Sequence, residues 1–197
     1  MLLLIGALVL GVVVGLAFGG SFRKLSELSF RWWWLALLGL ALQFVPAKSH
    51  VWAVGLLIAS YVVLTIFMIV NIRMPGMWLL ALGFVVNIVV IAANGGMPVS
   101  DHALRVAYGT SGYAEQRREL VTGEGGSKHH LQRPDDVLVP LTDVIPVGAP
   151  VHLIFSIGDL LSLFGAVWVV AAATLGHPAT RQRRTAGVDA PAPHDGT

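Results

Sequence analysis

Leu2–Gly19 runs for eighteen residues without a charge. Val51–Ile72 and Gly76–Ala93 are likewise long and apolar, and Val151–Leu175 is broken only by Asp159. A helix needs ~20 apolar residues to cross a bilayer core, with a range of about 17–25. All four stretches meet that length. One more, Trp32–Val45, the second of five in chain order, is shorter and stops at Pro46. It reaches the length if Phe30–Ala47 is counted, with Arg31 snorkelling to the interface. Trp32, Trp33 and Trp34 then suit an interfacial aromatic belt. Pro75, just before the fourth stretch, suits the first turn of a helix.

Composition agrees with this reading. Of 197 residues, 55% are hydrophobic and only 12% charged, and the mean hydropathy is +0.74. A soluble domain carries about 25% charge and must keep a polar surface. An ordinary cytosolic enzyme, a disordered protein and a nucleic-acid binder are therefore excluded. The basic residues sit in short scattered loops, which is no nucleic-acid footprint. There are no cysteines, so disulfides, thiolate metal sites and thiol nucleophiles are excluded too. The fold class expected is an all-α integral membrane protein: a bundle of five transmembrane helices with one long extracytoplasmic segment between the fourth and fifth.

Orientation follows from short-loop charge. Arg23, Lys24 and Arg31 lie between the first two stretches, Arg73 between the third and fourth, and Arg181, Arg183 and Arg184 after the fifth. Only Lys48 lies between the second and third. The positive-inside rule then gives an outer N-terminus and a cytoplasmic C-terminus. No basic residue precedes the first apolar run, so an uncleaved anchor is expected rather than a cleaved signal. Residues 1–177 form the membrane domain in this scheme.

Residues 94–150 form the extracytoplasmic segment. Ser100 is placed to cap a helix that begins at Asp101. Asp101–Tyr108 and Gly112–Val121 read as short amphipathic helices, and Gly123, Gly125 and Gly126 as a flexible turn. Lys128–Pro150, rich in Pro, Asp and β-branched residues, reads as an extended cover over the bundle mouth. Residues 178–197 are poor in apolar residues and read as a disordered cytoplasmic tail.

A few patterns carry chemistry. Gly11, Gly15 and Gly19 share a face with Ala7, since four residues turn a helix by about 400 degrees. Such a face lets two backbones approach closely in lipid. It serves packing inside the bundle or, alternatively, homodimerisation. Asn94-Gly95-Gly96-Met97-Pro98 reads as a helix stop, or as a backbone loop at a ligand mouth. Asn87 lies seven residues earlier, close to the same face. Lys128-His129-His130 with Asp135, Asp136, Asp143 and His152 offers metal-ligand chemistry, but no spacing matches a zinc or calcium signature. His129, His130 and Asp143 are the weak metal candidates. In the fifth stretch Ser156, Gly158, Asp159 and Ser162 form a polar section. An ionisable group inside a span costs roughly 2.5–3.5 kcal/mol on insertion scales and is a functional candidate by default. Depth along the helices places Asp159, Asn87 and Ser60 at similar levels in the outer half. The ligand-binding set expected is Asp159, Asn87, Asn94 and Ser156. No catalytic motif and no cofactor motif is present.

Asn94-Gly95-Gly96-Met97-Pro98, Lys128-His129-His130-Leu131, Asp143-Val144-Ile145-Pro146 and Ser156-Ile157-Gly158-Asp159 stand in a fixed order. In this combination the chain resembles a bacterial membrane-protein family catalogued as domain of unknown function 5317. The resemblance covers roughly Met1 to Leu175. It implies a small multi-span protein of the bacterial plasma membrane and supplies no activity, substrate or catalytic residue. Arg outnumbers Lys ten to three, which fits a GC-rich bacterial genome.

Three functions follow from these features. The first is a binding or transport component with an outward-facing polar pocket around Asp159 and Asn87. The second is an accessory subunit of a larger membrane assembly. The third is a membrane enzyme acting on lipid or cell-wall precursors, which would need titratable groups in hydrogen-bond reach of each other. The partners expected are the lipid bilayer and either further copies of the chain or membrane partner subunits, and no nucleic acid.

Overall fold

The computed structural model describes residues 2–47, 49–122 and 128–176. The expected cytoplasmic tail and the turn at Gly123, Gly125 and Gly126 lie outside the described residues. The chain is mostly helical: α1 (Leu2–Ala17), α2 (Phe22–Leu25), α3 (Trp33–Gln43), α4 (His50–Val70), α5 (Met77–Asn94), α6 (Asp101–Thr122) and α7 (Ile157–Leu175). Four short strands accompany them: β1 (Met97–Val99), β2 (His129–Leu131), β3 (Ile145–Val147) and β4 (Leu153–Phe155).

Three helices, α4, α5 and α7, are long and apolar enough to cross a membrane. α4 turns Val62, Ile66 and Ile69 outward, and α5 turns Val85 and Val89 outward. Exposed apolar faces of this extent mark a surface made for a membrane or for another protein. The first and second apolar stretches form shorter helices than the sequence suggests. α3 has 11 residues and so rises only about 16 Å. It begins late because Trp32 adopts a left-handed backbone (φ 53°), and it ends before Pro46.

Contacts run in the order α3–α4–α5–α7–α1. Glycines set the crossings. A Cβ on Gly11 would stand 2.7 Å from Val170 Cβ, and one on Gly15 would overlap Thr174 Oγ1. α1 therefore packs parallel to α7, with Gly11 beside Val170 and Gly15 beside Thr174. Gly19, expected on the same face, meets nothing there; its φ of +85° takes the backbone out of the helix, and Gly20 makes the next contact instead. Gly39 lies against Leu64 where α3 crosses α4. Gly83 of α5 meets Gly158 and Ser162 of antiparallel α7, and Gly165 of α7 meets Leu80.

Hydrogen bonds close both ends of the bundle. At one end Lys24 Nζ donates to the Leu175 carbonyl at the C-terminus of α7 (3.1 Å), where a cation meets unsatisfied carbonyls. At the same end Asn71, buried after α4, bonds both the N–H and the carbonyl of Arg31 at 2.9 Å. At the other end Lys128 Nζ donates to the Gln43 carbonyl (3.1 Å). There too His50 Nε2 donates to the Gly95 carbonyl (2.8 Å), and Asn94 exchanges bonds with Val137.

The segment over that second end is more ordered than an extended cover. β1 pairs parallel with β2, in register Met97 to His129, and Val99 also bridges to Asp143. β3 and β4 pair antiparallel, Ile145 opposite Phe155. α6 is two helices meeting at Gly109 (φ 60°, ψ −164°), a conformation open to glycine and costly for other residues. The halves fold back on each other. Tyr113 Oη donates to Asp101 Oδ1 at 2.6 Å across twelve residues, and Arg105 and Arg117 pair with the same carboxylate.

Candidate functional site

The fifth apolar stretch does not enter its helix at Val151. Leu153–Phe155 is a strand, and α7 begins at Ser156 with a capping box. Ser156 Oγ accepts from the Asp159 N–H (3.0 Å), and Asp159 Oδ2 accepts from the Ser156 N–H (3.0 Å). Each side chain satisfies a backbone N–H that a helix start leaves unpaired. Asp159 thus lies in the first helical turn, where the helix dipole favours a carboxylate. Asp159, expected in the outer half of its span, lies one turn from the start of α7.

Asn87, on the facing wall of α5, is 2% exposed. Its Nδ2 donates to Asp159 Oδ1 at 2.8 Å, and its Oδ1 accepts from Ser156 Oγ at 3.0 Å. Gly158 makes this possible, because any Cβ there would overlap the Asn87 side chain. Tyr61 of α4 packs its ring on Phe84 of the same α5 wall (centroids 4.8 Å). Of the expected ligand-binding residues the structure brings Asp159, Asn87 and Ser156 together. Asn94 stands apart: its amide clasps the Val90 carbonyl and the Val137 backbone. Ser60, expected at this level, belongs to another contact, donating to the Gly39 carbonyl (2.7 Å) and accepting from Gln43.

The metal candidates separate into pairs. His129 Nε2 lies 3.7 Å from Asp143 Oδ2. His130 Nε2 lies 3.1 Å from Asp136 Oδ1, both side chains buried. His152 Nδ1 donates to the Ala107 carbonyl at 2.6 Å and its ring stacks on Tyr108. Among the described residues no three His, Asp or Glu side chains converge in a way that could hold an ion.

Asp143 has a different setting. A cleft of about 220 Å³ opens between α6, β1, β2 and β4. Leu104, Leu120, Leu153 and Ile154 form apolar walls, and Asp143, His129 and Glu119 supply the polar groups. Asp143 is only 6% exposed, held by backbone bonds from its N–H to Pro98 and from Ser100 N–H to its carbonyl. Burial raises its carboxyl from the ordinary 3.8 to about 8, and the nearby charge of Asp159 adds to the shift. Neither Asn87 nor Asp159 lines the cleft, yet Asp159 acts electrostatically on its acidic group.

Sequence reasoning missed the role of Asp143. Asp143 was grouped with the histidines by residue type, and nothing local shows that it faces α6.

Neither a curated protein nor a solved structure matches the chain. A family model, that of the family of unknown function DUF5317, matches residues 27–171, from the loop before α3 to the last third of α7. That span holds α4, α5, the paired strands, Asn87, Asp143 and Asp159, and it is most of the sequence. The chain is therefore a member of the DUF5317 family, and among its described residues three helices are apolar and long enough to cross a membrane.

Proposed function

We propose that the chain is a multi-pass protein of the bacterial plasma membrane and a small binding or transport component, its ligand entering from the extracytoplasmic side. The observation that carries this is the cleft over the end of the bundle, with buried Asp143 on its wall and the Asn87–Ser156–Asp159 network adjoining. A concave site with apolar walls and a few convergent polar groups is the usual form of a ligand pocket.

Five crossings, outer N-terminus and cytoplasmic C-terminus remain the topology we favour. Helix directions support it: α1 runs parallel to α7 and α5 antiparallel to it, and α3 runs antiparallel to α4. Those are the directions that odd and even crossings require. The Arg-rich loop before α3 sits at the Leu175 end and the cleft at the Ser156 end. Asp159, Asn87 and Ser156 then form a polar floor that holds α5 to α7 beneath the ligand. This refines the expected pocket around Asp159: that carboxylate is engaged by Asn87 and its own helix, and Asp143 is the one facing open space.

One observation favours the accessory-subunit reading instead. Both Asp159 oxygens already have protein donors, as a purely structural clamp would. Purification in mild detergent followed by mass spectrometry of co-purifying small molecules separates the two. Wild type should carry a molecule that Leu104→Trp, which fills the cleft, loses. Identical preparations with nothing bound would reject a binding function.

A further inference from the structure

The cleft has a size and a chemistry, and both restrict its occupant. Its 220 Å³ is about half again the ~150 Å³ of an apolar cavity that takes benzene. The walls from Leu104, Leu153 and Ile154 suit a ring or a short hydrocarbon chain. The Tyr108 ring lines the same space. The polar side chains that line it are Asp143, Glu119, Gln116 and His129, besides the Tyr108 hydroxyl, so its charged groups are the two acids. Asp143 is more than nine-tenths buried, and His129 at 3.7 Å is too far for a direct hydrogen bond to its carboxylate. With His129 at 3.7 Å as an ion-pair contact, a buried carboxylate at the wall of an apolar cleft is strengthened by an ammonium within hydrogen-bond reach.

We propose that the cleft binds a small organic amine, its ammonium on Asp143 and its apolar body against Leu104, Leu153 and Ile154.

The assignment rests on the binding reading above and adds the ligand class. Glu119 at the rim adds long-range attraction for a cation. Burial also raises the affinity of Asp143 for a proton, so an ammonium that binds its carboxylate does so with release of that proton. An ammonium could also come from an ethanolamine headgroup. The apolar walls favour a free amine, because a headgroup ammonium is followed by phosphate rather than by hydrocarbon.

Calorimetry on the full chain in phosphatidylcholine nanodiscs tests this with phenethylamine and with phenethyl alcohol, its neutral counterpart of similar shape. The amine should bind, and the alcohol should bind more weakly by roughly tenfold or more, the worth of a charge-assisted bond. Asp143→Asn, close in shape, should lower the amine affinity to the level of the alcohol while its melting temperature shows that it is folded. Replacing half of the lipid by phosphatidylethanolamine should leave amine binding unchanged; loss of binding there would overturn the free-amine assignment in favour of the headgroup. Equal binding of amine and alcohol, or an unaltered affinity in Asp143→Asn, would overturn the role of the carboxylate. If neither probe binds but wild type still co-purifies a molecule that Leu104→Trp loses, the amine class is wrong and the binding function stands. If that molecule is missing as well, both are wrong.

Discussion

Asp143 and Asp159 carry the same functional group and end in different states because of what surrounds them. Asp159 caps its own helix and accepts from Asn87, whereas Asp143 is buried with a distant histidine and the charge of Asp159 nearby. A folded-state pKa of about 8 against 3.8 means that the folded chain holds a proton the unfolded chain has lost. The stability from Asp143 is therefore complete at low pH and declines as pH rises from about 4 to about 8. Melting curves in detergent should show stability falling across the upper part of that window, and Asp143→Asn should flatten the fall. A wild-type stability that climbs with pH in that range would contradict this. Asn87 is the hub of the other group. Asn87→Leu removes a partner from both Asp159 and Ser156, and each buried polar group left unpaired costs about 1–3 kcal/mol. A clear drop in detergent melting temperature is expected, against little change for Val89→Leu at an exposed position of the same helix.

At the scale of elements, glycine decides which helices touch. Gly15 meets Thr174 and Ala171 of α7 with no room for a side chain, while Val13 on the same helix is exposed. Gly15→Leu should lower detergent stability by about 1–3 kcal/mol, the usual range for overpacking a close crossing, and Val13→Leu should not. Equal melting of the two variants would show that this face looks at lipid. The glycine spacing in α1 was legible in the sequence because a four-residue period is a local signal, though its last member, Gly19, leaves the helix. Helix stops were legible for the same reason: Gly95 ends α5 with φ 65°. The start of α7 was misread, since Val151–Phe155 is as apolar as the helix after it. The capping box at Ser156 and Asp159 was the available signal. The strands were not legible, because each has only three residues and rests on a partner distant in sequence.

For the whole molecule, apolar helices and a polar cover follow from composition and charge pattern alone, whereas the cleft does not. It forms where α6, folded back at Gly109, meets strands from three separate segments, and no local pattern encodes that meeting. α1 and α3, shorter than a bilayer is thick, are where the five-crossing topology is most exposed to test. The central claim is that the cleft end of the bundle faces outward and the Lys24 end faces the cytoplasm. The chain has no cysteine, so single cysteines report on it directly. Glu119→Cys at the cleft wall and Ser26→Cys in the Arg-rich loop should be treated with a membrane-impermeant maleimide in intact cells. Labelling of Glu119→Cys in intact cells, with Ser26→Cys labelled only after permeabilisation, is the predicted result; the reverse pattern would contradict the account.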